Sequence, residues 1–552
     1  MSRMNILQKN LFQLLTEIDI ICKEHDIKYF LAGGNALGAV RNHCFLPWDD
    51  DLDLYITRDE WNKLKHVLES EDDVVPEGRS FIYYENTPYY CNTIPRYVNN
   101  ETTAIYKSQA LAGKACGQHI ELLIMDPIPN DEEMRKKYID LLHVYTELLT
   151  PYYVVNQYVP IEEWERHYKL YQSYCDRVDE EGEEAVIKEL EDELQCFPTE
   201  ECDDYCMRWG NHIFIYKKDD YGNGRIERFE GKDFTVAERA EGIFRVAYGD
   251  NWMYIPEFEE QVIHSGLRDI NIPFSEYTDK YINKINRKTV FEKYKRNKRS
   301  NASVLYKRKQ NEKIVAEINN IVKSKDICQN LETKTEHLDS LLKNKEYDAV
   351  INEFKDYLKL QFGKNIRKYN IFVPISEENL KILLWSFIGQ GRYYEANKIL
   401  NIRKAQEEPL SNELEKIDEA IIICRELSIA RYDEKDAKLV ETLIEKYERQ
   451  YPDLLDIYRG KVWLEEGNAK SIEDYKSLSK LCEEILEIYP FDGEIMASCA
   501  KAKLECGNEE EAMNLYKKSI ENTRNGLIWQ KVEEESGVSR IEIERDLIEG
   551  KQ

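Results

Sequence analysis

The chain has 552 residues, a hydrophobic content of 42% and a formal charge of −28. This length favours several domains, because single cores rarely grow beyond about 250 to 300 residues. The acidity argues against general nucleic-acid binding, since phosphate backbones are held by basic surfaces. No apolar run approaches the roughly 20 residues that span a bilayer, and residues 1–10 lack the apolar core of a signal peptide. Thirteen cysteines without a repeating framework indicate reduced thiols, so we expect a cytoplasmic protein.

The first elements in chain order are a helix, a short strand and a glycine turn. Leucine and isoleucine recur at helical spacing over residues 6–25 and predict an amphipathic helix. Residues 29–32 predict a strand that stops at Gly33-Gly34, a turn that could let the backbone approach a ligand closely. Residues 35–41 then predict a short helix.

An acidic segment follows this helix. Residues 51–56 alternate acidic and apolar side chains, which is the period of a half-buried strand. Asp51 and Asp53 then face the same way, and two carboxylates suit Mg²⁺ or Mn²⁺ in phosphoryl transfer. The alternative is a solvated acidic turn or a helix cap. A third carboxylate, Glu121, lies in a later apolar strand where burial without a partner would be costly, and this favours the metal site.

Two later regions of the sequence differ from the first in composition and pattern. Residues 284–313 hold twelve Lys or Arg against only Glu292 and Glu312, which indicates a solvated linker helix or a segment that contacts an anionic membrane leaflet. Beyond about residue 330, amphipathic helices recur in a pattern that resembles tetratricopeptide-like hairpins stacked as an α-solenoid. Such a solenoid would bind a partner protein or a glycan, or stabilise a dimer. The predicted divisions are a catalytic core, its helical elaboration, a basic linker and the solenoid, at 1–130, 131–283, 284–330 and 331–552.

Two glycine-rich and acidic segments, 33–41 and 45–53, closely resemble the signature of LicD-type proteins, a family that includes fukutin-related transferases. Residues 120–129 and a block from Tyr248 to His264 resemble later family segments. The resemblance covers roughly residues 1 to 270 and does not reach the helical tail.

The resemblance implies an α+β fold, a polymerase-β-like nucleotidyltransferase domain with helical elaboration, ahead of the all-α tail. It also implies transfer of a phospho-substituent, phosphocholine above all, from a CDP-linked donor to a glycan or lipid-linked glycan precursor, with release of CMP. The basic segment 284–313 would add peripheral contact with the inner membrane surface if the acceptor is lipid-linked. The alternatives are nucleotidyl transfer to a small molecule or protein, and a non-catalytic helical scaffold.

By position, Asp51 and Asp53 would hold the metal, and Glu121 would either bind the metal or act as the base on the acceptor. The family usually has aspartate where this chain has Glu121. The donor would be contacted by Gly33, Gly34, Asn35, Arg41 and Trp48. Arg41 has the equal alternative of a structural ion pair. Supporting positions around the site would be Asp49, Asp50, Asp126, Asp250 and His264, and Asp49 and Asp50 would set the loop.

Two weaker patterns have structural explanations that we favour. Tyr83, Tyr84, Tyr89 and Tyr90 offer an aromatic cage for choline, but aromatic residues in strands are more often packing. Cys196, Cys202 and Cys206 with His212 have an unorthodox spacing for zinc. The i, i+4 pair Cys202 and Cys206 instead fits one buried helix face, so we do not expect zinc.

Overall fold

The computed structural model describes residues 4–71, 73–90, 92–106, 117–149, 163–209, 212–256, 266–363, 371–406 and 409–538. The chain divides into two compact units, the first formed by 1–247 and 257–310 and the second by 248–256 and 311–552. The predicted four-part division stays a prediction, and a single helix, Arg287–Thr333, runs through the residues of the predicted linker.

The first unit mixes helices and strands. Its helices are α1 (Ile6–Glu24), α2 (Gly33–Asn42), α3 (Arg58–Ser70), α4 (Glu132–Leu149), α5 (Trp164–Glu181), α6 (Glu183–Leu194), α7 (Lys218–Tyr221), α8 (Ala240–Tyr248) and α9 (Phe274–Tyr277). Its strands are β1 (Phe30–Leu31), β2 (Asp53–Thr57), β3 (Arg79–Ile82), β4 (Arg96–Asn99), β5 (Thr103–Ile105), β6 (Gln118–Ile128), β7 (Asp204–Trp209), β8 (His212–Lys217), β9 (Arg225–Phe229), β10 (Lys232–Val236) and β11 (Leu267–Asp269). The predicted α+β class is confirmed.

A curled seven-stranded sheet forms the centre of this unit. Its strand order is β1-β2-β6-β4-β3, and β7 pairs with the second half of β6 and carries β8 on its other side. The β2–β6 pair is parallel, whereas β1–β2, β3–β4, β4–β6, β6–β7 and β7–β8 are antiparallel. The first half of β6 therefore has β2 on one side and β4 on the other.

The predicted N-terminal elements form for the expected reasons. Helix α1 starts at a capping box between Asn5 and Gln8 and buries its leucine and isoleucine stripe. Strand β2 begins at Asp53 and not at Asp51, so Asp51 belongs to the loop that leads into the strand. Two aspartates predicted on one strand therefore lie at the end of a loop and the start of a strand.

The helical elaboration packs on the sheet through α4, α5 and α6. Their apolar faces share one core with Ile128 of β6 and Cys206 of β7. The start of the helix Arg287–Thr333, called α10, also belongs to this unit and uses part of the predicted basic segment. Lys298 is buried and donates to the carbonyl of Glu147, and Arg299 lies 2.7 Å from Asp179.

The second unit is helical. After α10 come α11 (Thr335–Lys343), α12 (Tyr347–Glu353), α13 (Lys355–Gln361), α14 (Glu377–Gly389), α15 (Tyr393–Lys404), α16 (Asn412–Ser428), α17 (Ala437–Tyr447), α18 (Leu455–Asn468), α19 (Ile472–Ile488), α20 (Gly493–Glu505), α21 (Glu509–Asn522) and α22 (Gly526–Ser536). Their buried faces form two apolar clusters. The tetratricopeptide-like arrangement stays a prediction. In the ranges that the structure describes, no helix is long and apolar enough to cross a membrane.

Candidate active site

Two carboxylates and a guanidinium form a row across three neighbouring strands. Asp53 of β2 is in register with Glu121 of β6, and Glu121 is in register with Arg96 of β4. Side chains in register on adjacent strands project to the same face of a sheet. The predicted partnership of Asp53 and Glu121 is thus built into the sheet, with Arg96 added beside it.

Glu121 is held by positive and polar neighbours. Arg96 forms an ion pair with its Oε1 atom, with Nε at 3.0 Å, and Trp209 Nε1 donates to Oε2 at 3.3 Å. Burial alone would raise the pKa of Glu121, but Arg96 holds it below the ordinary value. His119 is neutral at pH 7, since burial and Arg96 lower its pKa to about 3. Glu121 therefore stays ionised.

The acidic loop brings together half-buried side chains of like charge. Burial and the charge of Asp51 raise the pKa values of Asp49 and Asp53 well above the ordinary range, and a hydrogen bond that protonated Asp49 can make with Asp51 raises the pKa of Asp49 further. Asp49 Oδ2 is buried and accepts no hydrogen bond from any residue the structure describes. Within the same ranges, no three histidine, cysteine or acidic side chains are already arranged as a metal-ligand set. The repulsion at this loop can be relieved by a proton or by a cation.

Two buried amide side chains fix the backbone of the acidic loop. Asn35 Oδ1 accepts a hydrogen bond from the Asp53 amide at 2.9 Å, and Asn35 Nδ2 lies 3.4 Å from the Asp51 carbonyl. Gln8 Nε2 donates to the Asp49 carbonyl at 3.0 Å. Asn35 was predicted to contact the donor, whereas its contacts in the structure position the two aspartates.

The glycine pair Gly33-Gly34 allows a close approach to the acidic loop. Gly33 begins α2 with a φ of +53°, a conformation that favours glycine. A Cβ atom at Gly34 would lie 2.5 Å from Asp49 Oδ2, so any larger residue would displace that carboxylate. The space that was predicted for donor phosphates next to Gly34 is occupied here by Asp49.

Arg268 was missed by the sequence analysis. Its Nη1 atom donates to the Asp50 carbonyl at 2.9 Å and lies 2.7 Å from Asp50 Oδ2, while Nη2 donates to the Tyr106 hydroxyl at 2.8 Å. Strand β11 brings it there by pairing Arg268 with Ala104 of β5. The predicted loop-setting role of Asp50 thus has a specific partner 218 residues away. No local sequence pattern announces such a pair.

Asp126 does not support this site as predicted. It lies five positions after Glu121 on β6, so strand alternation turns it to the opposite face of the sheet. There it forms a bidentate ion pair with Arg58, at 2.6 and 3.0 Å. Asp126 and Arg58 line a polar cavity of about 80 Å³ on that face.

The four tyrosines considered for a choline cage do not meet at one place. Tyr83 and Tyr84 line the cavity on the Asp126 face. Tyr90 is buried with its ring 6.0 Å from the Arg96 guanidinium, and Tyr89 packs against Phe291. Packing therefore accounts for them better than a shared cage.

The other predicted residues have separate positions. Arg41 is buried in the last turn of α2, which favours a structural role, and Trp48 is half-buried in the turn before the acidic loop. Asp250 belongs to the second unit, where Arg425 Nε lies 2.9 Å and Asn397 Nδ2 3.4 Å from its carboxylate. His264 lies outside the described residues.

The cysteine pattern was interpreted with the wrong element. Cys206 lies in strand β7, and Cys202 precedes that strand, so the predicted helix face does not exist. Both thiols are buried, and burial raises the pKa of Cys206. Cys196 is exposed and donates to the Glu193 carbonyl.

Comparison with known proteins finds similarity over the segment that contains the acidic loop. Residues 26–110, which include the acidic loop, match the model described as "LicD/FKTN/FKRP, nucleotidyltransferase domain". The chain is 22% identical over 282 residues to "Lipopolysaccharide cholinephosphotransferase LicD" of Haemophilus influenzae, covering 46% of this chain and 91% of that protein. Uncharacterized proteins RP689 of Rickettsia prowazekii and RT0683 of Rickettsia typhi are 36% and 34% identical over 59 residues, 11% of this chain and 22% and 19% of theirs. The N-terminal part of the chain therefore carries a LicD-type domain at residues 26–110.

Proposed function

We propose that the chain is a metal-dependent transferase that moves phosphocholine, or a related phospho-substituent, from a CDP-linked donor to a glycan or lipid-linked glycan precursor and releases CMP. The observation that carries the proposal is the half-buried cluster of like charges at Asp49, Asp51 and Asp53, next to Glu121. The similarity to a lipopolysaccharide cholinephosphotransferase supports the choice of phosphocholine.

The residues present fit a hard divalent cation. Asp49 Oδ2 is a buried oxygen without a donor, and the raised pKa values of Asp49 and Asp53 reflect a negative field that a cation would relieve. Carboxylate oxygens are the ligands that Mg²⁺ and Mn²⁺ prefer. Asp51 and Asp53 would hold the ion, with Asp49 as an additional ligand. When bound, it would neutralise charge on the transferred phosphate.

Two of the carboxylates near the loop already have an arginine partner. Arg96 pairs with Glu121, and Arg268 pairs with Asp50, so each of these carboxylates already has an opposite charge within about 3 Å. Asp49 and Asp53 instead experience burial and neighbouring carboxylates. The distribution of charge therefore directs the cation to the Asp49–Asp53 loop.

Glu121 fits the role of a permanent negative charge better than that of a base. A general base is most effective when its pKa lies near the working pH. Arg96 instead holds the pKa of Glu121 below its ordinary value. Of the two roles predicted for this residue, the base is therefore disfavoured, and the charge of Glu121 would act beside a cation at the Asp49–Asp53 loop, with Arg96 fixing the position of the carboxylate.

The test is an assay of the whole chain with separate CDP-choline, CDP-ribitol and CDP-glycerol donors, each with Mg²⁺ or Mn²⁺ and a glycan acceptor preparation. CMP release from one donor, abolished by a chelator, would support the proposal. Pyrophosphate release from a nucleoside triphosphate would point to nucleotidyl transfer, which uses similar carboxylate chemistry. The absence of both products under all of these conditions would contradict a catalytic role.

A further inference from the structure

The second unit contains a short segment, Tyr248–Pro256, that is distant in sequence from the rest of the unit. The rest of the unit is Asn311–Gln552. We call Tyr248–Pro256 the inserted segment. Because the neighbouring chain does not join it directly to the helices, its place in the unit depends on noncovalent contacts. These contacts identify the surface that receives it.

The last residues of the inserted segment pair with the chain between α21 and α22 through their backbone. The Ile255 amide donates to the Arg524 carbonyl, and the Gly526 amide donates to the Met253 carbonyl, both at 2.8 Å. The Arg524 guanidinium adds two contacts, with Nε 2.9 Å from the Ile255 carbonyl and Nη2 2.6 Å from the Pro256 carbonyl. Main-chain hydrogen bonds of this kind give a bound peptide affinity that does not depend on its side chains.

The carboxylate of Asp250 is held by two other helices. Arg425 Nε of α16 lies 2.9 Å from its Oδ1 atom, and Asn397 Nδ2 of α15 lies 3.4 Å from its Oδ2 atom. The side chain of Asp250 is only 10% exposed, whereas that of Arg425 is 47% exposed. A charge-assisted contact of this kind distinguishes an acidic residue from a neutral one at this position of the segment.

The side chain of Tyr254 makes both an apolar and a polar contact. Its ring lies 5.1 Å from the ring of Tyr394 and packs against the apolar core of the unit, while its hydroxyl donates to Glu494 Oε1 at 3.4 Å. The other oxygen of Glu494 lies 3.2 Å from Arg431 Nη1 and accepts from the Tyr432 hydroxyl at 2.6 Å. The helices therefore hold the acceptor for Tyr254 in place by themselves.

We propose that the helical unit binds the inserted segment as an internal peptide ligand. The site would recognise a carboxylate at Asp250, a tyrosine ring and hydroxyl four positions later at Tyr254, and the backbone that follows. The receiving groups belong to α15, α16, α20 and the connection between α21 and α22, so the site spans much of the unit. Backbone pairing gives affinity and the two side chains give specificity. The partner that this surface fits is a segment of the same chain.

This inference goes beyond the proposed transferase activity and does not depend on it. Peptide binding and unfolding are measured without donor, cation or acceptor. A failure to release CMP and a failure to bind the peptide are therefore separate results, and each proposal can be rejected without the other.

The test uses the full chain with Asp250→Ala and Tyr254→Ala, which removes the two recognised side chains and keeps the backbone. A synthetic peptide with the natural sequence of Tyr248–Pro256, added in excess, should recover about half or more of the thermal midpoint that the double variant loses, because it binds only the folded state. The same peptide with both alanines is the matched control and should recover almost nothing. Wild type should respond to neither peptide, since its own segment has a far higher effective concentration.

A milder variant tests the same contact if the double variant does not fold. Arg524→Gln removes the guanidinium from the carbonyls of Ile255 and Pro256, so the Ile255 amide should exchange its hydrogen about tenfold faster. Hydrogen exchange followed by mass spectrometry measures this rate in the full chain. Lys518→Gln, at an exposed position of α21, is the control and should exchange like wild type.

Three results would overturn the inference. The first is recovery by the natural peptide that is no greater than recovery by the alanine peptide. The second is equal stabilisation of wild type and the double variant, which would place the peptide at another surface. The third is exchange of the Ile255 amide that is unchanged in Arg524→Gln or equally faster in Lys518→Gln.

Discussion

The two units both bury charged residues, but they balance them differently. In the second unit, Arg459 holds Asp492 with Nε at 2.8 Å and Nη2 at 2.7 Å, and Arg431 Nη2 lies 2.9 Å from Asp456. In the first unit, the Asp49–Asp53 loop collects carboxylates that repel each other. The first arrangement pairs opposite charges within the protein, whereas we propose that a bound cation balances the second.

The pKa values follow this difference. Burial opposes ionisation of Glu494, yet Arg459 and Arg431 lower its pKa to about 2. Burial likewise opposes ionisation of Asp53, and Asp51 adds to the effect, so its pKa is raised. Burial of charge therefore indicates a binding site only where opposite charge is insufficient, as it is around Asp53 and not around Glu494.

The largest expected effect comes from the uncompensated cluster. Asp53→Asn removes a charge with little change in volume, so CMP release should fall by about 10³-fold or more, because cation binding is lost. The stability of the fold should stay the same or increase, since one repelling charge is gone. Donor turnover and urea unfolding of the same preparation measure both.

Asp126→Asn is the matched control, because it makes the same change on the same sheet but on the opposite face. It should keep most of the turnover and lose some stability through its ion pair with Arg58. Full activity of Asp53→Asn would remove the basis of the metal assignment.

A break in the compensated network should affect folding and not catalysis. Arg459→Met leaves Asp492 without its buried cation and Glu494 with Arg431 alone, which should lower the free energy of unfolding by about 3 to 5 kcal/mol. Arg449→Met, at an exposed position of the same unit, should have almost no effect. Equal stability of the two variants in urea would show that the network does not support the fold.

The buried side chain of Lys298 allows the cost of charge burial to be tested as a function of pH. Burial lowers its pKa from 10.5 to about 8. The unfolded chain binds this proton more tightly than the folded chain does, so burial of the charged lysine lowers the free energy of unfolding by its full amount below pH 8. This cost decreases as the pH rises and disappears near pH 10.5. Its upper size is about 3 kcal/mol. Between pH 8 and pH 10.5, the free energy of unfolding of wild type, measured in urea, should rise relative to that of Lys298→Met. A difference that stays constant would contradict the burial of a charged lysine.

The smallest effect is expected at a residue that only positions the loop. Arg268→Lys keeps the charge but cannot bridge Asp50 and Tyr106 with a planar fork, so Mn²⁺ affinity should fall by about tenfold. Arg58→Lys is the corresponding change on the opposite face and should leave Mn²⁺ affinity unchanged. If both variants bind Mn²⁺ like wild type, Arg268 has no positioning role.

The sequence predicted the parts of the site that depend on local periodicity. Helical spacing predicted α1, and acid–apolar alternation predicted β2, although β2 starts at Asp53 and leaves Asp51 in the loop. The same alternation, applied to β6, would have placed Asp126 opposite Glu121. Contacts that join distant segments, such as Asn35 with Asp53 and Arg268 with Asp50, were not predictable from any local pattern.

The cysteine segment shows a second limit. Cys202 and Cys206 satisfy the spacing of a buried helix face, but tertiary pairing of β7 with β6 and β8 makes the segment Asp204–Trp209 a strand. Short apolar stretches with mixed periodicity fit either element, and the neighbouring strands decide between them.

Calorimetric titration of the full chain with Mn²⁺ tests the central claim most directly. Wild type and Asp126→Asn should bind the ion with the same affinity, whereas Asp51→Asn and Asp53→Asn should lose at least about tenfold in affinity. Binding that is unchanged in Asp51→Asn and Asp53→Asn would contradict the claim that the half-buried acidic loop holds a catalytic cation.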